Sequence, residues 1–203
     1  MISRRFVLGG LAAAFPLSAR AESPGAKLAL AARRQVGVTT TYDPAYRRLA
    51  YPGGDPPRAT GVCADVVVRA ARDALGLDLQ RLVHEDMVRA FGAYPSRRVW
   101  GLTRADANID HRRVLNLETY WRRQGAELWR PRRRTAGNAF PEPLAVGDLL
   151  TWFVMSNSPH VGVVVATRPI VQIVHNIGWG VELVPLVTFL PFRAAGHFRW
   201  PRA

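Results

Sequence analysis

The apolar pattern of this 203-residue chain changes period once, from helical spacing to short runs of strand character. That order limits the fold more than any single motif. Ser23 followed by Pro24 reads as an N-cap with proline in the first turn, opening a helix through Lys27–Gln35 that stops at Gly37. Val62, Val66, Val67, Ala70, Ala71 and Ala74 recur at helical spacing, with Asp65, Arg69, Arg72 and Asp73 off the stripe and Gly76 as the closing glycine. Further helices are predicted over 78–91 and after Asn116, where Leu117, Tyr120 and Trp121 share a face. The last third reads as strands: Leu149–Phe153, His160–Ala166, Ile170–His175, Val181–Val187 and Gly196–Trp200, separated by turn residues. Helices first and strands after imply an α+β fold with an antiparallel sheet, not a doubly wound one.

Two segments lie outside these elements. Residues 38–61 are rich in Thr, Pro, Gly and Tyr and read as a long irregular loop, which in a compact domain is usually functional or disordered. Residues 1–21 are expected to be removed. Arg4 and Arg5 precede an apolar run from Phe6 to Leu17, and Ala19-Arg20-Ala21 supplies an Ala-x-Ala cleavage site. The Ser3–Leu8 string is similar to a twin-arginine export signal. The run is about a dozen residues, short of the roughly 20 of a membrane span, and no later run approaches that length. The expectation is an exported protein, periplasmic or wall-associated, with residues 22–203 forming one domain, no membrane span after signal removal, and a monomeric state.

Charge and cysteine usage narrow the chemistry. The chain has 28 Lys+Arg against 15 Asp+Glu, and removing Arg4, Arg5 and Arg20 with the signal leaves +10. A basic exported protein is drawn to polyanions such as acidic cell-wall peptides. Export and the absence of a recognised nucleic-acid motif argue against nucleic acid. Lys27 is the only lysine, so genome composition is an equal explanation of the arginine excess. Arg130, Arg132, Arg133 and Arg134 read as a solvated loop. Cys63 is the only cysteine, which excludes an intramolecular disulfide and cysteine-paired zinc sites. A lone thiol bound for an oxidising compartment is either buried or used.

The position of Cys63 favours use. It stands at the start of the Val-rich helix, where the helix terminus and a neighbouring imidazolium would stabilise the thiolate. His160 opens one predicted strand and His175 ends the next, so antiparallel pairing would place both rings on one face. Nucleophile, base and orienting group would then be Cys63, His160 and His175, with Asn176 as another candidate for the last role. Asp65, in the first turn of the same helix, reads as a capping carboxylate.

The segments Ala32–Gly37, Gly61–Val67, Leu144–Leu150, Pro159–Val164 and Ile173–Asn176 occur in the order found in NlpC-type cell-wall cysteine peptidases of the papain-like superfamily, which the chain resembles. Within that superfamily it is most similar to a bacterial family catalogued as a domain of unknown function, DUF1287. The strings that carry this are Thr40-Thr41-Tyr42-Asp43-Pro44, His84-Glu85-Asp86-Met87 and Asn108-Ile109-Asp110-His111-Arg112. The resemblance implies helices packed on an antiparallel sheet, with a cleft at the Cys63 helix tip. It also implies Cys63 as nucleophile, His160 as general base and then acid, His175 as orienter, and oxyanion binding by backbone N–H groups with help from Tyr42. No cofactor or metal is implied. Two departures stand out: Val62 and Ala64 replace the family's usual Asp and Ser around the cysteine, and residues 78–140 form a helical insert absent from simple NlpC domains.

His84, Asp110 and His111 lack metal-ligand spacing and read as cleft-lining, substrate-contacting residues or as buried, satisfied polar groups. Trp100 and Trp179, in glycine-flanked loops, are candidates to border the cleft, and His197 reads as a strand residue. The resulting expectation is an exported cysteine hydrolase cleaving amide bonds of peptidoglycan stem peptides through a thioester. Acyl transfer or deamidation at the same site, or a non-catalytic wall- or peptide-binding module, are the alternatives.

Overall fold

A computed structural model describes residues 22–141 and 143–202; the export signal expected over 1–21 lies outside them. Helix α1 (Pro24–Arg33) begins where Ser23 Oγ accepts the Ala26 N–H at 3.2 Å. It ends two residues before Gln35, and turns carry the chain to Gly37. Leu28, Ala29, Ala31 and Ala32 form its buried face, and the small size of the three alanines lets it lie close against the next long helix.

The segment from 38 to 61 is irregular but fastened. Strand β1 (Thr41–Tyr42) pairs in parallel with β2 (Thr60–Gly61). The buried Arg69 side chain reaches back to Asp55 Oδ1 at 2.8 Å, Thr60 O at 2.9 Å and Pro56 O at 3.1 Å. One guanidinium therefore satisfies loop carbonyls that would otherwise need water.

Helix α2 (Cys63–Leu75) follows at once, and its apolar stripe makes it the centre of the helical layer. The insert supplies α3 (Leu79–Ala90), capped by the Asp78 carboxylate, the short α4 (Ser96–Trp100), and α5 (Val114–Arg123). Strands β3 (Glu127–Trp129), β4 (Leu149–Val154), β5 (Ser158–Ala166), β6 (Gln172–Asn176), β7 (Val181–Pro185) and β8 (Arg193–Phe198) form an antiparallel sheet in the order β3-β8-β4-β5-β6-β7.

The α+β expectation holds, with the bounds of its elements shifted. The predicted strand over Val181–Val187 stops at Pro185, after which Leu186–Phe189 coils into a 3-10 turn. The sheet is also buried on both faces. Leu149, Val161, Val163, Val174 and Phe198 pack on the helices; Leu150, Trp152, Val164, Ile173 and Phe189 form a second cluster on the far side. Continuous apolar runs such as Leu149–Phe153 are the sequence form of a strand buried on both faces. Gly147, at φ +94°, lets β4 start hard against α1: a Cβ there would lie 2.3 Å from Gly25.

Candidate active site

Cys63 is the first residue of α2, after an extended Val62. The Asp65 carboxylate accepts the Val62 N–H at 2.7 Å, so the capping role expected of Asp65 is the one it takes. Asp65 is in turn held by Arg112, whose Nε and Nη2 meet Oδ1 and Oδ2 at 3.0 and 2.9 Å. From the other side, Asn176 Nδ2 donates to Gly61 O at 3.0 Å, tying the segment before the cysteine to the end of β6. The helix tip is thus fixed to both the insert and the sheet.

The tip enters a gap in the sheet. Strands β5 and β6 pair from Val163 and Val174 up to Ala166 and Gln172, but not at the end that carries His160 and Asn176. Cys63 packs at that end of the sheet within the helix-side cluster, with the Val161 N–H among the groups that favour its thiolate. Alternation sends the Val161 side chain to the helices and the His160 ring to the opposite face. Cys63 belongs to the helix-side cluster and the His160 ring meets Trp152 and Phe189 of the second cluster, so the two predicted reacting groups start from different faces of the sheet. Cys63 also lines a cavity of about 220 Å³, together with Tyr42, Trp100, Arg112, Arg113 and Pro159.

His160 lies opposite Trp152 in the β4–β5 register. Its ring is roughly parallel to Phe189 at 6.0 Å and edge-on to His175 at 5.2 Å between centroids. Phe189 in turn stacks on Trp152 at 4.0 Å. Both imidazoles are buried, and the expected orienting hydrogen bond is not made: His160 Nε2 and both nitrogens of His175 are without hydrogen-bond partners among the described residues, with Glu182 Oε1 3.8 Å from His175 Nε2. The edge-to-face contact and the aromatic cluster hold the His160 ring by shape. Asn176, the other candidate orienter, is engaged with Gly61 and with the Gly178 N–H instead.

The electrostatics differ from the sequence expectation. Burial pushes the Cys63 thiol up to about 11, against the pull of the Val161, Ala64 and Cys63 N–H groups. Burial, with His175 adding to it, holds His160 well below its ordinary value, and burial lowers His175 to about 4. Thiol and imidazole are each neutral at rest, because burial leaves neither charge solvated enough to form. Tyr42 is pushed up to about 12 by burial and by the nearby Cys63 and Asp65, so its hydroxyl remains a donor across the neutral range.

Other predicted residues are placed differently. Asp110 and His111 stand behind the cavity wall. Asp110 accepts from the Asp106 N–H and from Arg113, while His111 is buried and lowered to about 4 by that burial. His84 packs edge-on against Tyr51 at 5.1 Å. Trp100 lines the cavity, whereas Trp179 is 86% exposed on the β6–β7 turn. His197 is buried in β8 and bonds Asp148 at 2.8 Å. Arg130, Arg132 and Arg133 border an open groove beside β3. Sequence reasoning missed Arg112 and Arg113; their place directly after Asp110-His111, in a string already singled out, was the available signal.

Comparison with known proteins gives likenesses of three kinds. The chain matches the family described as "Domain of unknown function (DUF1287)" over residues 29–200. "Uncharacterized protein YijF" of Escherichia coli (strain K12) is 44% identical over 172 residues, covering 83% of this chain and 78% of that protein. A structure titled "Structure of NlpC2 from Trichomonas vaginalis" is similar with a TM-score of 0.44 and 12% identity over 90% of this chain, which spans 49% of that one.

Proposed function

The chain belongs to the DUF1287 family, and we propose that within it the protein is an exported cysteine hydrolase cleaving amide bonds of peptidoglycan stem peptides through a thioester on Cys63. The observation that carries the reading is the position of Cys63, the first residue of α2 and part of the wall of the cavity. Export is proposed from the residues 1–21 pattern. The peptide substrate is proposed from export, basicity and the resemblance set out under Sequence analysis. No helix among the described residues is long and apolar enough to cross a membrane.

In this reading the substrate carbonyl displaces water from the cavity. As the sulfur attacks, its proton passes to the neutral His160 ring. The transfer requires the His160 ring to move from its place against Trp152 and Phe189 to the sulfur once substrate is bound, catalytic hydrogen bonds often being completed only in the complex. The oxyanion that forms is stabilised by N–H groups at the start of α2 and by the Tyr42 hydroxyl. His160 then gives its proton to the leaving amine, and the thioester is hydrolysed by a water that His160 deprotonates. His175 and Phe189 border the ring at rest.

The test is turnover of purified peptidoglycan by residues 22–203, read by product mass. The reading expects fragments heavier by one water and their loss in Cys63→Ala. Equal turnover by Cys63→Ala, or products without added water, would overturn it.

A further inference from the structure

The cavity wall facing Cys63 comes from the insert, and its charge is one-sided. Two cations line the cavity, Arg112 and Arg113, and no carboxylate among the described residues does. Arg112 is engaged throughout, with both Asp65 oxygens and with the carbonyls of Ala45 and Asp43 at 3.1 and 3.0 Å. Arg113 is not. Its guanidinium lies over the Trp100 ring, 4.3 Å from the centroid, and Nη1 donates to Asp110 Oδ1 at 3.2 Å. Stacking fixes the plane of the fork, and the Asp110 contact fixes its direction, leaving further N–H donors at the cavity. A planar, pre-oriented guanidinium is the group that matches a carboxylate with two parallel hydrogen bonds.

We infer that Arg113, stacked on Trp100, binds a free carboxylate of the substrate and so makes this site select amides flanked by an acidic residue. The inference rests on Cys63 as the reacting group. At about 220 Å³ the cavity is below the roughly 300–1,000 Å³ that holds a drug-sized ligand, so it admits about one residue with the rest of the substrate outside. The carboxylate and the scissile carbonyl must therefore belong to the same or adjacent residues. This gives the insert a function: α4 and the start of α5 form the specificity wall of a site whose reacting groups belong to α2 and β5.

The test needs no natural substrate. Iodoacetate and iodoacetamide both alkylate a thiol: the sulfur–carbon bond forms, iodide leaves, and the thiol proton passes to the base. They differ in carrying a carboxylate or a neutral amide. In the wild-type protein the iodoacetate rate at Cys63 should saturate with concentration, and glutarate, but not its diamide, should protect. The iodoacetate-to-iodoacetamide ratio should fall at least about tenfold in Arg113→Gln, the scale of a charge-assisted hydrogen bond, and part of it should return in Arg113→Lys. The wild-type saturation and protection measurements stand even if Arg113→Gln folds poorly. Linear iodoacetate kinetics with no protection, or an unchanged ratio in Arg113→Gln, would overturn the assignment while leaving Cys63 reactive. A Cys63 that neither reagent modifies would instead remove the reading of Cys63 on which the inference rests.

Discussion

Arg112 and Asp65 form a two-point ion pair with side chains only 2% and 1% exposed, joining the insert to the first turn of the nucleophile helix. Both charges are desolvated, so the pair is stable only as a pair. Arg112→Met strands a buried carboxylate and is expected to cost about 3–5 kcal/mol in urea unfolding. The double variant Asp65→Asn, Arg112→Met should recover part of that loss. Equal stabilities of wild type and Arg112→Met would show that the pair does not anchor the helix tip.

Stability should fall on mild acidification, before the carboxylates titrate. His175 and His111 are each lowered to about 4 by burial, below the ordinary 6.5 that they regain on unfolding. Between those values the unfolded chain binds more protons, so the neutral rings contribute fully above pH 6.5 and the contribution is lost as pH falls toward 4. Each ring can account for about 3 kcal/mol at most across that window. Urea midpoints measured from pH 7 to 4 should drop in wild type and drop less in His111→Gln. A flat profile over this range would contradict the burial of the rings.

Thiol titration separates a neutral pair from an ion pair. With Cys63 raised to about 11, its reactivity toward iodoacetamide should climb through the alkaline range and be slower at pH 8 than that of an ordinary cysteine, near 9. A reactive plateau reaching down to pH 5 would mean that the resting site already holds a thiolate and an imidazolium.

Much of this was legible in the sequence because it depends on local pattern. Ser23-Pro24, the valine stripe of α2 and Gly76 set helix ends through short-range chemistry, and each stands as read. The placement of Cys63 and the shared face of His160 and His175 follow from a helix terminus and from period-two alternation. The unread features depend on the third dimension. Nothing near residue 112 announces that its guanidinium crosses 47 positions to Asp65. The second aromatic cluster arises from Phe189 folding back from a turn that looked like strand. The ionisation of the site was misjudged for the same reason: burial of Cys63 outweighs the helix terminus, and burial cannot be read from neighbours in sequence.

The central claim is that His160 carries the Cys63 proton, and acylation by p-nitrophenyl acetate tests it most directly. Nitrophenolate release should show a burst of one equivalent per wild-type chain and none in Cys63→Ala. The burst rate in His160→Gln, with folding confirmed by circular dichroism, should fall by roughly 10²-fold or more, the scale of general-base catalysis. A folded His160→Gln protein that is acylated at Cys63 as fast as wild type would contradict the account.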